Sequence, residues 1–109
     1  MTDKHPYTRW SEDDRRAFPR AGITGEVALQ CAGREYILTA RDVSVGGVGT
    51  EPVVGIEAPM EGSLEFQEMP VACRCRVVYS IEGKGLGIEF LDLSEESRLA
   101  LKNFVDEAN

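Results

Sequence analysis

Apolar and polar residues alternate with a period of two from about residue 25 onward, which is the pattern of β-strands that bury one face. Two alternating segments, 27–31 and 36–40, flank Ala32 and Gly33 and predict a hairpin with a two-residue loop. The cross-strand partners are then Cys31 and Arg34, Leu29 and Tyr36, and Val27 and Leu38. Apolar side chains face each other along most of this ladder, which favours it over a register slipped by one residue.

Further alternating segments predict more short strands after the hairpin. They are expected near residues 48–51, 64–66, 71–79 and 84–92. A turn at Glu82 and Gly83 joins the last two, with Tyr79 facing Leu86, Val77 facing Ile88, and Cys75 facing Phe90. About six strands at this spacing predict an all-β fold with a small helical contribution, a closed or nearly closed antiparallel barrel.

The two ends of the chain depart from the strand pattern. From Ser94, with Glu95 and Glu96 in the first turn, apolar residues recur at helical spacing. This predicts a C-terminal amphipathic α-helix of about ten to fourteen residues that packs on the barrel. Residues 1–14 have no periodicity and are predicted to form a flexible N-terminal arm ahead of a single domain at 15–109.

Length and charge limit the possible functions. A chain of 109 residues can build one hydrophobic core. Its apolar runs are too short for a membrane span, and its first twenty residues do not form a signal peptide, so we expect a cytoplasmic protein without membrane insertion. The net charge of −7 argues against DNA or RNA as partner, because such binding relies on Lys and Arg. A small phosphate ligand needs only a local group of cations.

Residues that often mark metal sites or catalysis have plainer interpretations here. Cys31, Cys73 and Cys75 are odd in number, which argues against a disulfide framework, and the Cys73-x-Cys75 spacing puts both thiols on an apolar strand face. Core packing is therefore favoured over a metal site. Ser44 near Asp42 lacks a histidine or lysine base within the barrel, so we expect that the protein is not an enzyme and needs no cofactor.

Two segments have compositions that strands do not explain. One is rich in arginine and the other in small polar residues and glycine; they contain Arg15, Arg16 and Arg20, and Asp42, Ser44, Gly46 and Gly47. The hairpin register extends to bring Arg20 near Val45, at one end of the sheet. Arginine binds phosphate oxygens and stacks on bases, a carboxylate accepts from the N–H edge of guanine, and glycine lets backbone amides approach a ligand. Together these groups indicate a nucleotide site.

The same residues resemble the signature motifs of a known family. Arg16-x-x-x-Arg20 and Asp42-x-Ser44-x-x-Gly47 resemble the RxxxR and [DN]xSxxG motifs of PilZ domains, in the same order and at a similar separation. The segment 85–90 and the entry into the terminal helix also resemble that family, so the likeness runs from about residue 14 to 104. It implies a single-domain bacterial receptor for cyclic di-GMP, built as a six-stranded antiparallel barrel with a flanking helix.

The resemblance also implies roles for individual residues. Arg16 and Arg20 would contact phosphates and stack on guanine, while Asp42 and Ser44 would hydrogen-bond a guanine and Gly47 would allow close approach of the backbone. Arg15 stands just before the RxxxR motif. In the family an arginine there accompanies binding of two intercalated ligand molecules, so cyclic di-GMP is expected to bind as a dimer.

Signalling is expected to involve the arm and a protein partner, which the sequence does not identify. The arm is predicted to order around the nucleotide and so expose or hide surface for that partner. Tyr7 and Trp10 either pack on the barrel when the arm closes or simply anchor the arm.

Two other functions compete with the receptor interpretation. One is a PilZ-like protein–protein interaction module that does not bind nucleotide; such members usually lack the arginines or the Asp-x-Ser, and this sequence has both. The other is a small oligonucleotide-binding barrel, which the acidic charge disfavours.

Overall fold

A computed structural model describes residues 19–108 and contains six strands and one helix. The elements are β1 (Ala21–Cys31), β2 (Arg34–Val43), β3 (Gly47–Thr50), β4 (Met60–Phe66), β5 (Ala72–Ile81), β6 (Gly85–Phe90) and α1 (Glu95–Ala108). The strands form a closed antiparallel barrel in the order β1-β2-β3-β6-β5-β4. The predicted six-stranded barrel with a C-terminal helix is confirmed, whereas the predicted arm lies outside the described residues.

The β1–β2 hairpin follows the predicted register from its turn down to Val27, which pairs with Leu38. Ala32 and Gly33 both have positive φ, at 52° and 76°, as a two-residue turn that matches strand twist requires. The register then shifts between Gly22 and Gly25, so the continuation differs from the prediction by one residue.

This shift corrects the predicted position of Arg20. Ala21 pairs with Val43, so Arg20 stands just before the ladder at the level of Ser44 and not of Val45. The physical reason is a bulge, which places an extra β1 residue against β2. The prediction that Arg20 meets the second motif survives the shift, because both remain at the same end of the hairpin.

A second irregularity corrects the β5–β6 hairpin. Cys75 pairs with Phe90 and Val77 with Ile88 as predicted, but Tyr79 pairs with Gly87 instead of Leu86. The register shift between Val77 and Tyr79 therefore places the Tyr79 ring over Gly87. A Cβ built on Gly87 would lie 2.2 Å from Tyr79 Cε2, so the ring occupies the space that a side chain would need.

The barrel interior holds one apolar core. Fully buried side chains include Val27, Leu29, Val43, Val48, Cys75, Val77 and Ile88. Phe66 and Phe90 meet edge to face, with ring centroids 6.1 Å apart. Burial raises the pKa of the Cys73 thiol to about 11 and that of Cys75 to about 12. Both thiols are therefore protonated near neutral pH, which makes them poor nucleophiles and suits the predicted packing role.

Helix α1 begins where the sequence predicts. The Ser94 hydroxyl accepts a hydrogen bond from the Ser97 N–H at 3.0 Å, which satisfies a backbone donor at the helix start. Leu101 and Val105 are 0% and 4% exposed and lie on the buried face of α1, and Leu101 belongs to the core. Within residues 19–108, no helix is both long and apolar enough to cross a membrane.

Candidate ligand-binding site

An ion pair joins the two sequence segments that were predicted to converge. Arg20 precedes β1, and Asp42 lies near the end of β2 opposite Gly22. The Arg20 Nη2 atom contacts Asp42 Oδ1 in a salt bridge, with 29% and 25% of the two side chains exposed. Because the pair is largely shielded from water, its charges interact more strongly than an exposed surface pair would. The last arginine of the first motif and the first residue of the second thus form one charged cluster.

Three hydrogen bonds hold the loop at residues 44–47. Ser44 is fully buried, and its Oγ accepts from the Gly46 N–H at 3.1 Å. The Ser44 N–H donates to the Gly47 carbonyl at 2.9 Å, and the Phe90 N–H donates to the Gly46 carbonyl at 3.0 Å. The loop is therefore fixed both internally and against β6. Ser44 organises this loop, and its contact with a guanine stays a prediction.

Gly46 and Gly47 lie in this loop, and neither has the positive φ that would require glycine. Within residues 19–108, the glycines with positive φ lie elsewhere in the barrel; they are Gly33, Gly55, Gly83 and Gly85. A positive φ is therefore not the reason for glycine at 46 and 47. Gly46 is half-buried and Gly47 is buried, so Gly46 is the one of the two whose backbone lies nearer the surface.

Glu89 is a buried carboxylate beside this loop that the sequence analysis did not single out. It lies on β6, pairs with Gly47 on one side and Arg76 on the other, and is 3% exposed. Arg76 Nη2 also binds Glu61 Oε2 at 2.6 Å, and this hydrogen bond lowers the pKa of Glu61. A charged row therefore crosses β4, β5 and β6 and ends at the glycine of the second motif. In the sequence, Glu89 follows the inward-facing Ile88. That alternation is the same for a carboxylate on the solvated outer face of a strand, so the sequence did not reveal that Glu89 is buried.

A cavity of about 360 Å³ opens next to the loop, between Pro19, Val45 and helix α1. Arg98 and Lys102 of α1 line it, and they pair with Glu95 at 2.6 Å and Asp106 at 2.8 Å. Its apolar walls suit the flat face of a base, and its charged lining consists of Arg98, Lys102 and Asp106. A larger depression of about 500 Å³ lies at the β1–β2 turn, at the opposite end of that hairpin, and holds none of the predicted site residues.

The structure describes some of the predicted site residues and not others. Arg15 and Arg16 lie outside the described residues, so their roles stay predictions. Asp42, Ser44, Gly46 and Gly47 all lie at one end of β2 and β3, close to Arg20. Within the described part of the chain, no three potential metal ligands cluster together.

Comparison with known proteins gives one family and two similar folds. The model of the PilZ domain family matches residues 14–107. The Bacillus subtilis inhibitor of motility (MotI/DgrA) superposes with a TM-score of 0.70 at 17% identity, over 85% of this chain and 50% of that one. The PilZ domain of CeSA, from a cellulose-synthesizing bacterium, gives a TM-score of 0.61 at 16% identity, over 81% and 95% of the two chains.

These likenesses are similarities of fold. The chain spans about half the length of the motility inhibitor. A search of curated proteins found no match.

Proposed function

The chain belongs to the PilZ domain family, a family of cyclic di-GMP receptors, and we propose that it is a bacterial receptor that binds cyclic di-GMP at the Arg20–Asp42 cluster and loop 44–47. Binding is its whole chemistry, since PilZ domains act as receptor modules and catalysis forms no part of the proposal. The signal passes to a protein partner.

The observation that carries this proposal is the Arg20–Asp42 ion pair beside the loop. Arg20 offers a planar fork of donors for a phosphate and a flat face for a guanine. Asp42 has two oxygens with about four acceptor positions, so it can hold Arg20 and also accept from the N–H edge of a guanine. A cation and an acceptor already held next to each other lose little further freedom when the nucleotide binds.

Arg15 and Arg16 complete the proposed site from the segment just before Pro19. Each charge-assisted arginine–phosphate bond contributes about 1.5–3 kcal/mol. Arg15 stands just before the first motif, and in the PilZ family an arginine at that position accompanies binding of two intercalated ligand molecules. We therefore propose that Arg15 contacts a second, intercalated molecule, so that each chain binds a cyclic di-GMP dimer.

Calorimetric titration of the purified chain with cyclic di-GMP tests the receptor function. We expect saturable heat with cyclic di-GMP and none with GMP or cyclic di-AMP, at a ratio near two ligands per chain. Arg15→Ala is expected to lower the ratio towards one, whereas Arg16→Ala abolishes binding. A ratio near one for the unaltered chain would overturn the dimer. The absence of binding by calorimetry and by a second method would discard the receptor function and leave the nucleotide-free interaction module.

We propose that the arm (residues 1–14) and the arginine segment that follows it (residues 15–20) together transmit the signal. Ordering each backbone residue costs about 1–2 kcal/mol, so several arginine–phosphate bonds are needed to offset the closure of even a short arm. We expect amide hydrogen exchange in residues 1–20 to slow markedly when cyclic di-GMP saturates the protein. Exchange in β5, away from the site, serves as the internal control. Unchanged exchange in residues 1–20 would rule out ordering of the arm.

A further inference from the structure

A second surface lies at the opposite end of β3 from loop 44–47. The β3–β4 loop (51–59) and the β5–β6 hairpin turn enclose a groove of about 440 Å³, called here the hairpin groove. Apolar side chains dominate its lining, among them Pro52, Val53, Val54, Ile56 and Ile81. A concave apolar surface of this size accepts a protruding side chain of a partner.

Val54 is the feature that sets this groove apart. Its side chain is 92% exposed, against 53% for Ile37 and 44% for Leu99, the other large exposed apolar residues of the described chain. Ile56 is buried and fixes the loop to the core, while Gly55 has a φ of 102° and turns the chain so that Val54 points away from it. A fixed loop thus holds an apolar residue in water, beside an apolar groove.

The charged residues around the groove indicate which charge a partner should carry. Among the described residues, the one charged side chain in the lining is Glu82, and Glu51 and Glu57 are exposed on the loop that borders it. Lys84 and Arg41 lie nearby but do not line the groove, and the Arg41 guanidinium donates to the Lys84 carbonyl. An apolar side chain flanked by Lys or Arg therefore complements this surface.

The same charges disfavour a second copy of the chain as occupant. A twofold contact through the groove would bring two acidic surfaces together, in a chain that carries a net charge of −7. Like charges at an interface suppress such pairing.

The groove is also physically connected to loop 44–47. β3 is only four residues long, begins at Gly47 of the second motif, and is buried throughout. Its last residue, Thr50, pairs with Leu86 of the hairpin, and the β3–β4 loop starts immediately after it. Arg41, the neighbour of Asp42, provides a second link through the Lys84 carbonyl. A Cβ on Gly85 would lie 2.1 Å from the Thr50 carbonyl oxygen, which shows how closely the two segments pack.

We propose that the hairpin groove is the docking surface for a protein partner that presents an apolar side chain flanked by lysine or arginine. Its place in signalling rests on the proposed receptor function. Docking at the groove needs no bound nucleotide, so the docking proposal and the receptor function can fail separately.

The test uses the full ¹⁵N-labelled chain without nucleotide. It is titrated with two dodecapeptides that share a central Leu-x-x-Phe, one flanked by lysines and the other by glutamates. We expect saturable amide shifts in residues 52–56 and 80–84 with the lysine peptide and none with the glutamate peptide. Val54→Ser should weaken binding of the lysine peptide by about tenfold or more. The matched control, Ile37→Ser, removes an exposed apolar residue outside the groove and should leave the affinity unchanged.

Three results would overturn the proposal. They are equal binding of both peptides, shifts that fall outside the groove or do not occur, and unchanged affinity of Val54→Ser. Light scattering adds a fourth: a concentration-dependent dimer that Val54→Ser abolishes would assign the groove to a second copy. The outcome of the cyclic di-GMP titration affects none of these readings.

Discussion

Asp42→Ala is expected to weaken cyclic di-GMP binding by at least about 100-fold, because the substitution removes acceptors and disturbs a cation at once. The Asp42 carboxylate holds Arg20 in a largely shielded ion pair and is proposed to accept from guanine. If the N–H edge of the guanine donates two charge-assisted bonds to Asp42, at about 1.5–3 kcal/mol each, their loss weakens binding by about 3–6 kcal/mol. Since about 1.4 kcal/mol is a factor of ten in affinity, calorimetry at one salt concentration measures the effect directly.

Two further variants separate charge from fold. Asp42→Asn keeps the shape and one acceptor oxygen, so its loss of affinity should be smaller, by about tenfold. Asp92→Ala removes a carboxylate that is half exposed and paired with Arg74, and it should leave cyclic di-GMP affinity unchanged. If Asp42→Ala binds like the unaltered chain while its circular dichroism is unchanged, Asp42 has no part in the site.

The sequence predicts local pairing well, because a hairpin needs only a turn and a matching apolar pattern. Val27–Leu38 and Val77–Ile88 both form as predicted. The prediction fails at the two bulges, one between Gly22 and Gly25 and one before Tyr79. An extra residue in one strand leaves the alternation readable on either side, so a pattern of period two does not reveal where the register changes.

Barrel closure is harder to predict than strand formation. Alternation shows which face of a strand is buried, but it does not say which distant strand lies beside it. The ladder of β1 with β4, in which Leu29 pairs with Leu64, joins segments far apart in sequence. The same holds for Val48 of β3 and Ile88 of β6. A closed or nearly closed barrel was predicted from strand number and spacing, while the order of neighbouring strands came from the structure.

The candidate site shows the same difference between local pairing, which was predictable, and long-range pairing, which was not. The convergence of Arg20 on Asp42 was predictable because a single hairpin joins them, and the bulge moved it by only one residue. Glu89 was not predictable because β6 reaches Gly47 through the long-range β3–β6 ladder. The internal hydrogen bonds of Ser44 were also missed, since a buried hydroxyl that organises its own loop has the same sequence signal as one that contacts a ligand.

Gly62 is a glycine for which only the closed barrel gives a reason. It lies on β4 opposite Cys75 of β5, where β1 crosses closely on the other side. A Cβ built there would lie 2.2 Å from the Gln30 carbonyl oxygen and 2.9 Å from Cys31 Cβ. A backbone carbonyl within a ladder cannot rotate away as a flexible side chain can. The missing side chain at 62 therefore permits the approach of β1 to β4 that closes the barrel.

Gly62→Ala is accordingly expected to destabilise the fold by about 3 kcal/mol, at the upper end of the usual cost of overpacking. Gly22→Ala is the matched control, because a Cβ at position 22 has no atom within 4 Å. It should leave stability unchanged or raise it by up to about 1 kcal/mol, since alanine reduces the entropy of the unfolded chain. Urea unfolding of both variants measures the difference, with equal slopes required for the comparison. Equal midpoints would mean that β1 and β4 separate at this point at little cost, and that their close approach at Gly62 does not hold the barrel closed.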